Sequence, residues 1–517
     1  MRLIALLFLL PATVVAQPLV LEGELPTTGP DFVLVPFEVP PGTAEVEVRH
    51  PVQQPENILD YGLADARGFR GWGGGNDEPF IVNERAASRS YLPGPLTPGT
   101  WHVVIGKAKV VTAPARYRLE IERRPSATLA PQAGRASTPW TPGAPLERGA
   151  RWYAGDLHVH SRESGDAAPT LDAIATFARG RGLDFVHLSE HNTTSQLAFF
   201  ADVQSRHPAL LLLPGMEFTT YGGHANAIGA TAPIDHRFGV EGATFDAAVA
   251  AMEAQGALLS INHPVLDLGQ LCIGCAWRQR VAASKVRAVE IGTGGWDKTG
   301  AIFGQQAIAF WDRQLDQGSR AAPVGGSDDH SGGRATGSFD SPIGNPTTMV
   351  FAQELSVPAV LEGLRAGRTV VKLQGPSDPM VALRLGDAGI GDEVALGTGS
   401  LEATVTGGRG QVLAWLENGR VVEEQPIDAD PFTASRAVQG PTSGVTRWRA
   451  EVRLSGAPRT VTGHVWLRAM EHEPASCGCT ASAPALWGLG AGLLLLLRSA
   501  RRRTAPPRRS DFAGPRA

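Results

Sequence analysis

Between residues 151 and 373, short apolar runs alternate with stretches of helical periodicity, and most of the runs stop at a cluster of Gly, His and acidic residues. This alternation restricts the fold more than any other feature of the chain. Seven runs read as strands: Ala154–His158, Phe185–Leu188, Leu210–Leu213, Ala225–Ile228, Ala257–Ile261, Ala288–Ile291 and Ala322–Val324. Leu171–Arg179, Phe245–Glu253, Ile302–Leu315 and Ala359–Leu364 carry helical spacing between several of them. Repeated strand–helix units predict an α/β region on a parallel sheet, open or closed into a barrel.

The flanks follow a different pattern. Over residues 17–124, runs such as Phe32–Val39, Ala44–Val48 and Trp101–Ile105 are broken by Pro40-Pro41-Gly42 and Pro98-Gly99. Short strands at such spacing predict a β-sandwich. Residues 125–150 are rich in Pro, Ser, Thr, Gly and Ala and read as a linker. Residues 376–470 return to short alternating runs, a second small β domain after a central domain spanning 151–375. The 61 Gly and 39 Pro among 517 residues supply the turns that β-rich domains require. A hydrophobic content of 43% excludes wholesale disorder. With 47 basic and 51 acidic residues the net charge is −4, so there is no strong nucleic-acid-binding signal.

Both ends read as targeting segments. Residues 1–16 join Arg2, the apolar run Leu3–Leu10, and Val14 and Ala16 ahead of a cleavage position, the pattern of a secretory signal peptide. Residues 471–517 contain Cys477-Gly478-Cys479, the apolar run Ala483–Leu497 and the basic group Arg501–Arg503. This arrangement resembles the Cys-containing C-terminal sorting signal of myxobacteria, and a plain membrane anchor is the alternative. Either reading predicts an exported chain, attached to the cell envelope through the tail or released from it.

The chemistry gathers where the central strands should end. Gly155-Asp156-Leu157-His158-Val159-His160-Ser161 closes the first strand, and alternate residues on a strand share a face, so His158 and His160 can grip one cation. Ser189-Glu190-His191-Asn192, Pro214-Gly215-Met216-Glu217, Gly222-Gly223-His224, Asn262-His263-Pro264 and Ser327-Asp328-Asp329-His330 follow in order. Carboxyl ends of successive strands converge on one mouth. Mixed His and carboxylate donors suit divalent Zn, Mn or Fe. Glu217 can bridge two cations, and paired cations activate water and clamp a phosphoryl oxygen.

These motifs resemble those of the polymerase-and-histidinol-phosphatase (PHP) superfamily over roughly Tyr153–Leu373. An exported chain with a β domain ahead looks most like its carbaryl-hydrolase-like (CehA/McbA) branch. The resemblance implies a distorted seven-stranded βα barrel holding two or three divalent metal ions. One ion would take His158, His160, Glu217 and Asp328, and a second would share Glu217 and add His224 and His263. A third would use His191 and His330 with Asp166, although Ser164-Gly165-Asp166 matches the family pattern only loosely. Glu217 and Asp328 would position the activated water, with no general acid identified, and Glu190 would orient a His ligand.

Other residues attract simpler readings. His187 lies inside an apolar run and reads as a core histidine, whereas His207 and His236 sit in polar turns and read as solvent-exposed. Trp296 and Lys298 either border the mouth or belong to loop packing. Cys272-Ile273-Gly274-Cys275 is half a zinc site with no second pair nearby, so a local disulfide near His263 is expected. The function that follows is an exported metal-dependent hydrolase of small-molecule or nucleotide esters, phosphoric first. Carbamate or carboxylic ester cleavage on the same centre is an alternative, as is a surface binding protein with a structural metal. A structural site usually closes its shell with four Cys or His ligands, which nine His and carboxylate candidates do not resemble.

Overall fold

Residues 17–269, 272–294, 301–334 and 341–470 are described by a computed structural model. The expected leader and tail, and Trp296 and Lys298, lie outside the described residues. Among these residues no helix is long and apolar enough to cross a membrane.

The alternating runs of the N-terminal region form two four-stranded sheets. One contains Leu19–Leu25, Ala115–Arg124, Glu45–Arg49 and Phe80–Asn83 in that order, and the other Phe32–Val39, Gly99–Lys109, Ile58–Asp65 and Gly68–Gly74. Val46, Val48 and Ile121 from the first share one core with Leu63, Trp101 and Ile105 from the second. Side chains on a strand point alternately to opposite faces, so each sheet presents one apolar face to the other.

The central region contains β1 (Glu147–Val159), β2 (Phe185–Leu188), β3 (Leu211–Leu213), β4 (Gly215–Thr220), β5 (Gly223–Ile228), β6 (Leu258–Ile261), β7 (Ala288–Thr293), β8 (Ala322–Gly326), β9 (Thr347–Leu355) and β10 (Thr369–Lys372). All seven expected strands are present. β1 starts earlier than its apolar run because residues from Glu147 onward pair with β9. The helices are α1 (Leu171–Gly180), α2 (Leu197–Arg206), α3 (Phe245–Ala254), α4 (Ala301–Asp316) and α5 (Val357–Arg365). In α1 the Thr170 hydroxyl caps the Ala173 N–H, and Leu171, Ile174, Ala175 and Ala178 form the buried face.

The expectation of a parallel sheet is only partly met. β1, β2 and β3 are parallel to one another, as are β6, β7 and β8. β4, β5 and β6, however, run antiparallel in turn, β9 pairs antiparallel with β1, and β10 pairs antiparallel with β9. The cause is local: Tyr221-Gly222 turns β4 back as a tight hairpin, with no crossover helix between the two strands. The two sheets approach at the strand ends through parallel bridges Val159–Asp329 and His191–Glu217. Among the described residues they form no closed barrel. The C-terminal region is β-rich as expected, but it continues the central sheet, because Ala457–Thr462 pairs antiparallel with β10.

Candidate metal centre

His158 lies near the end of β1 and His160 just beyond it, on the same side of the strand. Both are fully buried. Asp156, two residues earlier, accepts from the His158, Ser327 and Gly344 N–H groups at 3.0, 3.0 and 2.7 Å, which ties the end of β1 to the end of β8. Burial raises the Asp156 carboxyl to about 6 despite these donors. His263 and Asp328 have φ of 25° and 55°, a region that non-glycine residues rarely enter. Such strain is held where a surrounding network over-determines the backbone. Here the Glu290 carboxylate accepts from the His263 N–H at 2.8 Å, and the His158 carbonyl accepts from the Asp328 N–H at 2.8 Å.

Glu217, on β4, is the hub. Its Oε1 lies 3.3 Å from His158 Nε2, 3.4 Å from His224 Nδ1 and 3.3 Å from His263 Nε2. Its Oε2 lies 2.8 Å from His191 Nδ1 and 3.7 Å from His160 Nε2. Asp328 Oδ1 stands 3.2 Å from both His158 Nε2 and His160 Nε2. Asp166 Oδ2 is 3.2 Å from His191 Nε2 and 3.5 Å from His330 Nε2. The structure therefore brings together all nine residues singled out above.

The N-terminal sandwich helps to set this geometry. Asn76 Nδ2 donates to the Gly165 carbonyl at 3.3 Å and Ser90 Oγ to the Glu163 carbonyl at 2.7 Å, which fixes the loop carrying Asp166. The Tyr221 hydroxyl at the β4–β5 turn donates to Asp60 Oδ2 at 2.7 Å.

The donor arrangement fits divalent cations. His158 Nε2 and His160 Nε2 are 3.1 Å apart. The opposite nitrogens are engaged, His158 Nδ1 with Glu290 Oε1 at 3.2 Å and His160 Nδ1 with Ser164 Oγ at 2.7 Å. With protons on both Nδ1 atoms, two imidazole lone pairs face each other and two carboxylates, an arrangement that calls for a cation between them. The charges point the same way. Burial opposes charge on His158, but Asp328, Glu217 and Glu290 hold its pKa well above the ordinary value, so the position at its Nε2 favours positive charge, which a proton or a cation can supply. Burial likewise opposes ionisation of Glu217 and Asp328, and the surrounding histidines hold both carboxyls well below the ordinary range. His160 is pushed the other way, to about 3, by burial and by the positive His330 and His191. The cluster thus concentrates carboxylate charge that needs cationic partners.

Exposure gives the centre a direction. His158, His160, Glu217 and His263 side chains are at most 2% exposed, whereas Asp166 is 55% and His330 33% exposed. The open side is the Asp166–His330 rim.

Several expectations need correction. Glu190 meets no histidine directly: its carboxylate accepts from the Ser161 N–H and from Ser161 Oγ at 2.6 Å, it reaches His160 only through Ser164, whose Oγ lies 2.7 Å from His160 Nδ1, and burial raises it to about 8. The carboxylate that meets a histidine directly from behind is Glu290, which was not singled out because it sits inside the apolar run of β7. A charged residue in such a run is the signal that marks it. Asn262, which donates to Glu217 Oε1 at 2.9 Å, was visible only as part of its motif. His236 is not exposed but buried, with its ring edge against Phe32, Phe69 and Trp72, because the N-terminal sandwich packs over its turn. His207 is half-buried and pairs with Asp172 at 3.0 Å. His187 is a core residue as expected, its Nδ1 3.0 Å from the Leu157 carbonyl. Cys272 and Cys275 are joined in a disulfide.

No protein-family model matches the chain, and no curated protein matches it. Among solved structures it is similar to a two-domain protein from Bacteroides vulgatus containing a predicted PHP-like metal-dependent phosphoesterase. The identity is 18% over 64% of this chain and 99% of that one, with a TM-score of 0.37. It is also similar to an amidohydrolase from Chromobacterium violaceum with bound sulfate and no metal. There the identity is 17% over 36% of this chain and 93% of that one, with a TM-score of 0.25. At these levels neither likeness bears on the chemistry, which rests on the residues of this chain.

Proposed function

We propose that the chain is a metal-dependent hydrolase of PHP type, acting on phosphoric esters through a centre of two or three divalent cations. One observation carries this reading: Glu217 stands between two groups of ligands, its Oε1 3.4 and 3.3 Å from His224 and His263 and its Oε2 3.7 Å from His160, while His158, 3.3 Å from Oε1, shares Asp328 Oδ1 with His160. A carboxylate so placed is built to span two cations. His158, His160 and Asp328 would complete one position and His224 and His263 the other, with Asp166, His191 and His330 forming a third at the rim. Bound divalent cations supply Lewis acidity and activate water at neutral pH.

The chain's own residues do the positioning. Glu290 keeps the His158 proton on Nδ1, and Asn262 restrains the Glu217 carboxylate. A substrate reaches the centre from the rim, so its phosphoryl group meets Asp166, His191 and His330 first and its leaving group departs toward solvent. The two bridged sheets would then stand as the distorted barrel that such a centre occupies. Export to an oxidising compartment, with attachment to the envelope through residues 471–517, is the setting we propose, and the disulfide accords with it.

The test is hydrolysis of p-nitrophenyl phosphate, bis(p-nitrophenyl) phosphate and p-nitrophenyl acetate before and after chelation and metal restoration. Metal-dependent cleavage of a phosphate ester is expected. Cleavage of the acetate alone would move the assignment to carboxylic esters, and activity indifferent to chelation would end the metal reading.

A further inference from the structure

The Cys272–Cys275 pair has no second cysteine pair near it in the sequence, but the fold supplies other donors beside it. Ligand atoms of His224, His263 and Cys275 lie within 4.8 Å of one another, and all three residues are buried. The loop is seated firmly: Gly274 has φ +79°, and a Cβ there would come within 2.3 Å of the Thr220 carbonyl, so the ring of the pair is pressed onto the β4–β5 turn. From that position the Ile273 carbonyl accepts from His224 Nε2 at 3.2 Å and the Cys275 carbonyl from His263 Nδ1 at 3.1 Å. Both histidines then turn their remaining lone pairs inward, toward Glu217.

We propose that Cys275 is a thiol-gated ligand beside His224 and His263, withheld while the disulfide stands and offered to a soft divalent cation such as zinc once it is reduced. The proposal rests on the metal centre described above, because His224 and His263 serve in both. Two imidazoles and a thiolate make a softer donor set than imidazoles and carboxylates, and they favour zinc or cobalt over manganese. In the disulfide the Cys275 sulfur carries no thiolate charge to offer.

The opening step is a thiol–disulfide exchange with a dithiol. Cys272 is half-buried and Cys275 only 2% exposed, so the incoming thiolate attacks the Cys272 sulfur. The Cys272–Cys275 bond breaks and Cys275 leaves as a thiolate beside the two histidines. The second thiol of the reductant then displaces Cys272, which departs as a thiol, and the reductant closes into its own disulfide. Two electrons pass to the protein. Of the two protons lost by the dithiol, one goes to Cys272 and the other to solvent while Cys275 holds the cation. An oxidising compartment keeps the extra donor out, and a reducing one admits it.

Full-length protein carrying Cys477→Ser and Cys479→Ser leaves this pair as its only cysteines. Cobalt(II) alone is the probe, with bound cobalt measured by elemental analysis and sulfur ligation by thiolate-to-cobalt charge-transfer absorption. Cys272→Ser, which frees Cys275 without reductant, should show the band, as should the oxidised parent after phosphine reduction. Cys275→Ser and the untreated parent should bind cobalt without it. Cobalt bound with no band in either Cys272→Ser or the reduced parent overturns the thiol-gated ligand and leaves the metal centre standing. Cobalt bound by none of the forms overturns both.

Discussion

Glu290→Gln isolates the carboxylate that the account places behind His158. In the wild type its two oxygens serve two candidate ligands, Oε1 accepting from His158 Nδ1 at 3.2 Å and Oε2 from the His263 N–H at 2.8 Å. An amide has one oxygen and cannot serve both. If the oxygen stays on His263, the amide N–H faces His158 Nδ1, and that imidazole must move its proton to Nε2, where the lone pair for the cation was. If the amide turns over, the buried His263 N–H is left facing a donor. A hydrogen bond to a charged group is worth about 1.5–3 kcal/mol, and about 1.4 kcal/mol is a tenfold change in an equilibrium. Metal affinity should therefore fall about 10- to 100-fold, the range typical of lost support behind a metal-ligating histidine. Chelator competition on wild type and variant measures it, with Glu45→Gln as the comparison because Glu45 is a buried carboxylate of the N-terminal sandwich held by Asn83, Thr128 and Leu129. Equal affinity in wild type and Glu290→Gln would refute the positioning role. So would an equal loss in both variants.

Two further predictions concern the contact between the sandwich and the central region. His236 is buried with neither ring nitrogen hydrogen-bonded among the described residues, and burial lowers its pKa to about 3 from 6.5. The unfolded chain takes up this proton below pH 6.5 and the folded chain does not, so stability is lost as pH falls from 6.5 toward 3, by up to about 1.4 kcal/mol per pH unit. His236→Phe should unfold at a higher temperature than wild type at pH 5, with a smaller gain at pH 8; an unchanged or widening difference at pH 8 would contradict this. Asp60 is raised to about 6 from 3.8, chiefly by burial, with Tyr221 and His191 opposing. Its folded form holds a proton that the unfolded chain has released, so wild-type stability falls as pH rises from 4 to 6. Asp60→Asn should lessen that decline in a melting series, and an identical slope would show that the carboxyl is not buried as described.

The candidate site was legible in the sequence because strand ends are recognisable without knowing how the strands pair. His158, His191, Glu217, His263 and Asp328 each follow an apolar run, and any sheet that brings the runs together brings those residues together. Pairing direction was not legible. Gly222-Gly223 reads as a break between units, while the hairpin of β4 and β5 depends on hydrogen bonds along the whole register from Gly215–Ile228 to Thr220–Gly223. Glu290 was hidden for a related reason. Its partners lie 132 and 27 residues away, and local pattern shows only a charge in an apolar run. His236 was misread because its turn is polar, and only the packing of Phe32, Phe69 and Trp72 from another region makes it a core residue.

If Glu217 spans two cations, metal stoichiometry must show it. Wild type, Glu217→Gln and His187→Gln would be saturated with zinc or manganese, freed of excess ion and measured by elemental analysis, with circular dichroism confirming the fold. His187 serves as the control because it is buried in the core and its Nδ1 faces the Leu157 carbonyl. More than one ion per chain is expected in wild type and His187→Gln, and the loss of at least one in Glu217→Gln, since a neutral amide bridges cations poorly. Full occupancy in folded Glu217→Gln would contradict it.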